Sequence, residues 1–251
     1  MKQKLHSMRP LLTLIPALLL LVSACSKGMD YGRAEADVSY GDSSYLLPGD
    51  RTASQAVGTV KTRDGVRFIQ LDPVSTGFVV NPKEIEDLAD GTRVYLQYRT
   101  VVSTNTPEFC TDAILVEWAT PLEQGGVSLL NFEEAFSADS FLATDPVDIV
   151  PDWITSLEDG FLTLHYTIAS GDKKHSFGLY RGMGSPVRFY LVHDADGDTG
   201  KALKDGIICF QLPMENLFPE IGEGETVALT LHYLNLDHTQ KTLTFEYRSP
   251  K

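Results

Sequence analysis

Apolar and polar residues alternate one by one through Leu162-Thr163-Leu164-His165-Tyr166, and the pattern returns as Leu229-Thr230-Leu231-His232-Tyr233. A period of two is that of a β-strand, in which both leucines and the tyrosine face one side while threonine and histidine face the other. Stretches of this kind, punctuated by Asp-Gly and Ser-Gly turn signals, occupy most of the chain from residue 57 onward. The sequence predicts an all-β protein.

The strands fall into two groups. Residues 57–62 and 67–71 flank Asp64-Gly65, a strong hairpin signal, and 77–80 reads as a third strand. Pro82 then opens a short helix over 83–89, at the position where its missing N–H costs nothing. Strands follow at 92–102 and 113–118. Three strands, a helix and two strands are the order of a five-stranded OB-like barrel, placed at 53–122. Residues 129–143, with Phe132, Ala135 and Phe136, read as a linking segment of helical tendency. Beyond it come strands at 160–168, 175–180, 186–193, 206–212, 226–234 and 242–248, with an earlier one around 147–154. Seven short strands fit an immunoglobulin-like β-sandwich at 123–251. The junction is expected at 121–127, where Pro121 and the paired Gly125-Gly126 break the β pattern. Phe161, Leu162, Leu164, Phe189, Leu191, Phe210, Leu229 and Leu231 are among the expected core residues.

The N-terminus sets the compartment. Lys2, Lys4 and Arg9 precede an apolar run at 11–22 that is too short to span a bilayer, and no acidic residue appears before Asp30. The run ends in Val22-Ser23-Ala24-Cys25, which resembles the lipobox of bacterial lipoproteins. That resemblance implies a signal peptide at 1–24, a diacylglycerol on Cys25 and stable attachment to the cell envelope through two or three acyl chains. The outer membrane is the expected site, with periplasmic face and cell surface both open. Residues 25–52, rich in Gly, Ser and Asp, read as a flexible tether. Removing residues 1–24 takes three of the 21 basic residues and none of the 34 acidic ones, leaving 18 − 34 = −16. Such a balance repels nucleic acid and anionic headgroups. The remaining thiols, Cys110 and Cys209, lie in separate predicted domains and apolar contexts, so two buried free thiols are expected.

The lipobox, Ala113-Ile114-Leu115-Val116-Glu117-Trp118, Asp152-Trp153, the run from Leu157-Glu158-Asp159-Gly160 to Leu164, and Phe189-Tyr190-Leu191-Val192-His193-Asp194 together resemble the NigD-like lipoproteins of Bacteroidota. The resemblance covers nearly the whole chain after Cys25. It implies an OB domain followed by a β-sandwich and no established enzymatic activity.

Phosphate-loop, dinucleotide, zinc-protease and nucleophile-elbow signatures are absent. Asp194-Ala195-Asp196-Gly197-Asp198 spaces carboxylates as a hard cation would need, but Gly at the fourth position and Asp205 at the twelfth depart from the EF-hand loop, and turn chemistry explains the run. His165, His193 and His232 could meet as a zinc set only if distant strands converge; no metal and no cofactor are expected. On the long fourth strand of the barrel Arg93, Tyr95, Gln97 and Arg99 share one face, read as outward and near Arg67. Arg67, Arg93, Tyr95 and Arg99 are the candidate ligand contacts, suited to an extracytoplasmic protein or glycan. The favoured function is therefore a non-enzymatic binding lipoprotein. A bacteriocin-associated protective role is one alternative, and a hydrolase using carboxylates such as Glu117, Asp152 or Glu158 at the domain junction is another.

Overall fold

The computed structural model describes residues 45–46, 52–73, 75–129, 144–182, 187–219 and 221–249. The signal segment, Cys25, most of the tether and the 130–143 linker lie outside the described residues. All described residues belong to one compact unit.

A two-residue strand, β1 (Tyr45–Leu46), already pairs with the long fifth strand, so β pairing starts inside the segment read as a tether. Asp64 and Gly65 take φ of 52° and 77° and turn β2 (Ser54–Arg63) directly into β3 (Val66–Leu71). Two successive positive φ values are what a two-residue hairpin turn requires, and Asp-Gly supplies them at little cost. β4 (Ser75–Val79), β5 (Arg93–Ser103) and β6 (Asp112–Pro121) complete the sheet. β2 lies between β3 and β5, β4 runs parallel to β6, and β5 pairs with β6, which closes a five-stranded barrel. Its interior holds Val60, Ile69, Val94, Leu96, Ile114 and Val116. The helix expected at 83–89 is a single 3-10 turn, Pro82–Ile85, that inserts Ile85 into this core. Beyond that turn one further such bond, Leu88 N to Ile85 O at 3.2 Å, is followed by Arg67 donating to the carbonyls of Glu86 and Leu88.

The 121–127 stretch does not break the β pattern as its proline and glycines suggested. β7 (Glu123–Gln124) joins one sheet of the sandwich and β8 (Gly126–Ser128) joins the other. The first sheet runs β10 (Ser156–Glu158), β11 (Phe161–Ser170), β14 (Ala202–Gln211), β7, with β9 (Asp148–Ile149) also on β11. The second runs β16 (Gln240–Arg248), β15 (Thr226–Leu234), β13 (Val187–Asp194), β12 (Ser176–Gly182), β8. Leu162 and Leu164 of the first and Leu229 and Leu231 of the second meet in one core with Phe189, Leu191 and Phe210. The two alternating motifs are thus facing strands of opposite sheets. Phe161, expected in that core, is buried on the other side of β11, where the Arg93 guanidinium lies 5.5 Å from its ring centre. Cys110 and Cys209 are both free and buried, and the Cys209 thiol contacts the Glu123 carbonyl at 3.5 Å.

Candidate functional site

Four side chains were placed on one outward face of the fourth barrel strand, and the structure divides them. Arg93, at the start of β5, has no exposed surface. Its Nη1 donates to Asp72 Oδ1 at 3.0 Å and to Thr59 Oγ1 at 3.1 Å, Nη2 to Asp72 Oδ2, and Nε and Nη2 to Thr163 Oγ1 at 3.3 and 3.2 Å. Thr163 belongs to β11, so the sandwich covers this end of the face. Arg93 is therefore a junction residue and not a ligand contact. The reason is its position: alternation orients a side chain but does not show what packs on it. Arg67 is likewise withdrawn, because its Nη1 and Nη2 serve the carbonyls of Glu86 and Leu88 and its Nε is buried.

A cleft of about 770 Å³ opens beside Arg93, between Lys61, Gln70 and Asp72 of the barrel and Glu158, Asp159 and Tyr247 of the sandwich. Burial lifts the Asp72 carboxyl, partly offset by Arg93 and Ser156, and the forked geometry keeps it a carboxylate against the guanidinium. Glu158 is pushed up to about 7, first by burial and then by the charge of Asp72. Such a carboxyl can hold or give a proton at neutral pH. Yet Asp72 is locked to Arg93 within the barrel and takes the Ser156 hydroxyl of the sandwich, and Asp159 is locked to Lys61, so the neighbours that raise Glu158 are already engaged at the seam. Glu117 and Asp152, the other carboxylates considered for hydrolysis, are engaged elsewhere.

The rest of the β5 face stays open. The ladder between β5 and β6 slips at Gln97/Tyr98, where a bulge sets Glu117 opposite the strand. Val116 and Ala119 both pack on the barrel core, so the extra residue sends Glu117 and Trp118 to the outer side together. Glu117 accepts from Gln97 Nε2 and Arg99 Nε, which holds its carboxyl below the usual carboxylate range despite partial burial. Tyr95 donates to Gln55 Oε1 at 2.7 Å and meets the Trp118 ring edge-on at 5.3 Å. From the sandwich side Trp153 approaches Tyr95 at 6.2 Å between ring centres, tilted by 34°, with 55% of its surface exposed. Asp152, beside it, is fixed by the amide of Ile154 at 3.0 Å and by His165 Nδ1 at 2.7 Å. The result is a shelf of three aromatic rings edged by Gln97, Arg99, Glu117 and Asp152. Of the residues proposed from sequence, Tyr95 and Arg99 lie on this shelf. The two tryptophans were not among those candidates, although a bulky aromatic beside a carboxylate in Asp152-Trp153 was a usable signal.

His165, His193 and His232 do not converge: they contact Asp152, His175 and Tyr190 respectively. The 194–200 carboxylates turn to backbone amides, Asp194 to Asp196 N and Asp198 to Gly171 N and Gly200 N, as tight-turn acids do.

No curated protein matches the chain. Solved structures do. A candidate toxin-related protein from Parabacteroides distasonis ATCC 8503 is 19% identical with a TM-score of 0.60, over 79% of this chain and 94% of that one. A candidate lipoprotein from Bacteroides fragilis NCTC 9343 is 9% identical with a TM-score of 0.58, over 80% and 100%. A NigD-like immunity protein from Bacteroides caccae ATCC 43185 is 19% identical with a TM-score of 0.53, over 79% and 98%. At these identities the likeness is one of fold. Residues 128–247 match the NigD-like C-terminal β-sandwich domain. That sandwich is thus a NigD-like C-terminal domain, and the chain shares its fold with a NigD-like immunity protein.

Proposed function

We propose that this protein is a non-enzymatic, lipid-anchored envelope protein that binds neutral glycan chains on the shelf formed by Tyr95, Trp118 and Trp153. The observation that carries the reading is Trp153, a large ring left 55% exposed and steadied against Tyr95 rather than folded into a core. A flat aromatic face suits the apolar side of a pyranose, and the planar amide, guanidinium and carboxylate groups of Gln97, Arg99 and Glu117 suit its vicinal hydroxyls. Arg99 is neutralised by Glu117, and the whole chain carries −13, so anionic polymers are disfavoured. The protective role suggested by the name of the Bacteroides caccae protein rests on a likeness of fold alone.

Titration calorimetry with neutral and sulfated oligosaccharides, guided by a glycan array, tests the reading. Neutral chains are expected to bind. Trp153→Ala is expected to weaken them at least tenfold, about 1.4 kcal/mol, without lowering the melting temperature. Preference for sulfated chains, or binding indifferent to Trp153→Ala, would overturn it.

A further inference from the structure

The hydrogen bonds around His175 and His193 do not close with two neutral imidazoles. Pro146 presents its carbonyl oxygen to His193 Nδ1 at 3.0 Å, and a carbonyl only accepts, so that nitrogen carries a hydrogen. Asp198 presents Oδ2 to His175 Nε2 at 3.1 Å. Amides of Gly200 and Gly171 donate to the same carboxyl at 2.8 and 2.7 Å and, with His175, hold it ionised, well below the usual carboxylate range. A carboxylate also only accepts, so His175 Nε2 carries a hydrogen too. The nitrogens left over, His175 Nδ1 and His193 Nε2, face each other at 2.8 Å. In two neutral rings both would be lone pairs, in contact and shielded from water, since the residues are 9% and 3% exposed.

We propose that His175 and His193 share one proton between these two nitrogens, and that it latches the 195–200 loop and the 144–146 lead-in onto the β12–β13 hairpin. The pair then carries one positive charge, balanced by Asp198. Asp145 of the lead-in, which also takes the Ala195 amide at 2.7 Å, faces His193, while Asp194 turns to the Asp196 amide. Nearby lysines are directed elsewhere, Lys173 to the Asp196 carbonyl, Lys204 to the Gly171 carbonyl and Lys174 to Glu123. Phe177 stacks on His193 at 4.8 Å and offers no charge. Asp198 and Asp145 together favour keeping the first proton. Burial, which lowers the pKa of His193, opposes a second.

The folded pair thus holds one proton where two free histidines hold two at low pH and none at high pH. Below the ordinary histidine value of about 6.5 the unfolded chain binds more protons, so the pair's contribution grows with pH; above it the folded state binds more, and the contribution declines. Ring-nitrogen NMR on the metal-stripped full chain, assigned with His175→Asn and His193→Asn, reads the proton directly. Three ring N–H groups on the pair are expected across pH 5.5–7.5, with the two inner nitrogens sharing an averaged signal. The difference in unfolding midpoint between wild type and His193→Asn should peak near pH 6.5. Two neutral rings at pH 6.5, or two independent titrations, would overturn the proposal. So would a stoichiometric metal in the purified protein whose removal alone separates the rings.

Discussion

Arg93 and Thr163 stand 70 positions apart and share a hydrogen bond in a place closed to solvent. Arg93 also forms a forked ion pair with Asp72, whose side chain is only 9% exposed, on the barrel side of the seam. Deleting one member leaves a buried charge without its counter-ion, so Arg93→Ala is expected to destabilise the protein by about 3–5 kcal/mol in urea unfolding. Replacing both, as Arg93→Met with Asp72→Leu, should cost much less, because no charge is then stranded. An Arg93→Ala protein as stable as wild type would show that this cluster is not what ties the seam. Part of this was legible beforehand: alternation correctly put Arg93 on the same side of its strand as Tyr95. What covers that side was not, since Thr163 looks like any outward strand threonine. Its counterpart in the repeated motif, Thr230, occupies the equivalent place and has a buried hydroxyl with no partner. The same five letters therefore serve two environments, which only packing distinguishes.

At the scale of elements, the Asp-Gly turns could be read directly. Asp64-Gly65, Asp159-Gly160 and Asp196-Gly197 all adopt paired positive φ, a local demand that local residues meet. The crossing at Gly125 could not be read. Between β7 and β8 the chain passes from one sheet to the other, and a Cβ on Gly125 would lie 2.1 Å from Cε1 of the fully buried Phe210. The glycine exists for a ring 85 residues away, and to a sequence it looks like a breaker. Gly125→Ala is expected to cost about 1–3 kcal/mol through overpacking, read as a fall in the denaturation midpoint at unchanged m-value. Adding Phe210→Leu should recover part of the loss; additive losses would mean that the two sites do not touch. The β-bulge at Glu117 belongs to the same class. Nothing in Val116-Glu117-Trp118-Ala119 announces that two neighbours will share a face, yet the aromatic shelf depends on it.

For the whole molecule the decisive residue is proposed to be Cys25. Among the described residues no helix is long and apolar enough to cross a membrane, so attachment would rest on acyl chains. Cys25→Ser is expected to move the protein out of the membrane fraction and to abolish labelling by a fatty-acid analogue; equal labelling of both forms would refute the anchor. The barrel-then-sandwich order was readable from strand counts and turn signals. The seam between them was not, being assembled from Lys61, Asp72 and Arg93 on one side and Phe161, Thr163 and Asp159 on the other. The shelf straddles that seam, with Tyr95 and Trp118 from the barrel and Trp153 from the sandwich. The chain has two tryptophans, and both are there. Excited near 295 nm, the protein therefore emits from a single locality, and its fluorescence is a spectroscopic gauge of one seam. Quenching, emission wavelength and anisotropy would each report how the two halves meet, with no dye attached and no background from elsewhere in the fold.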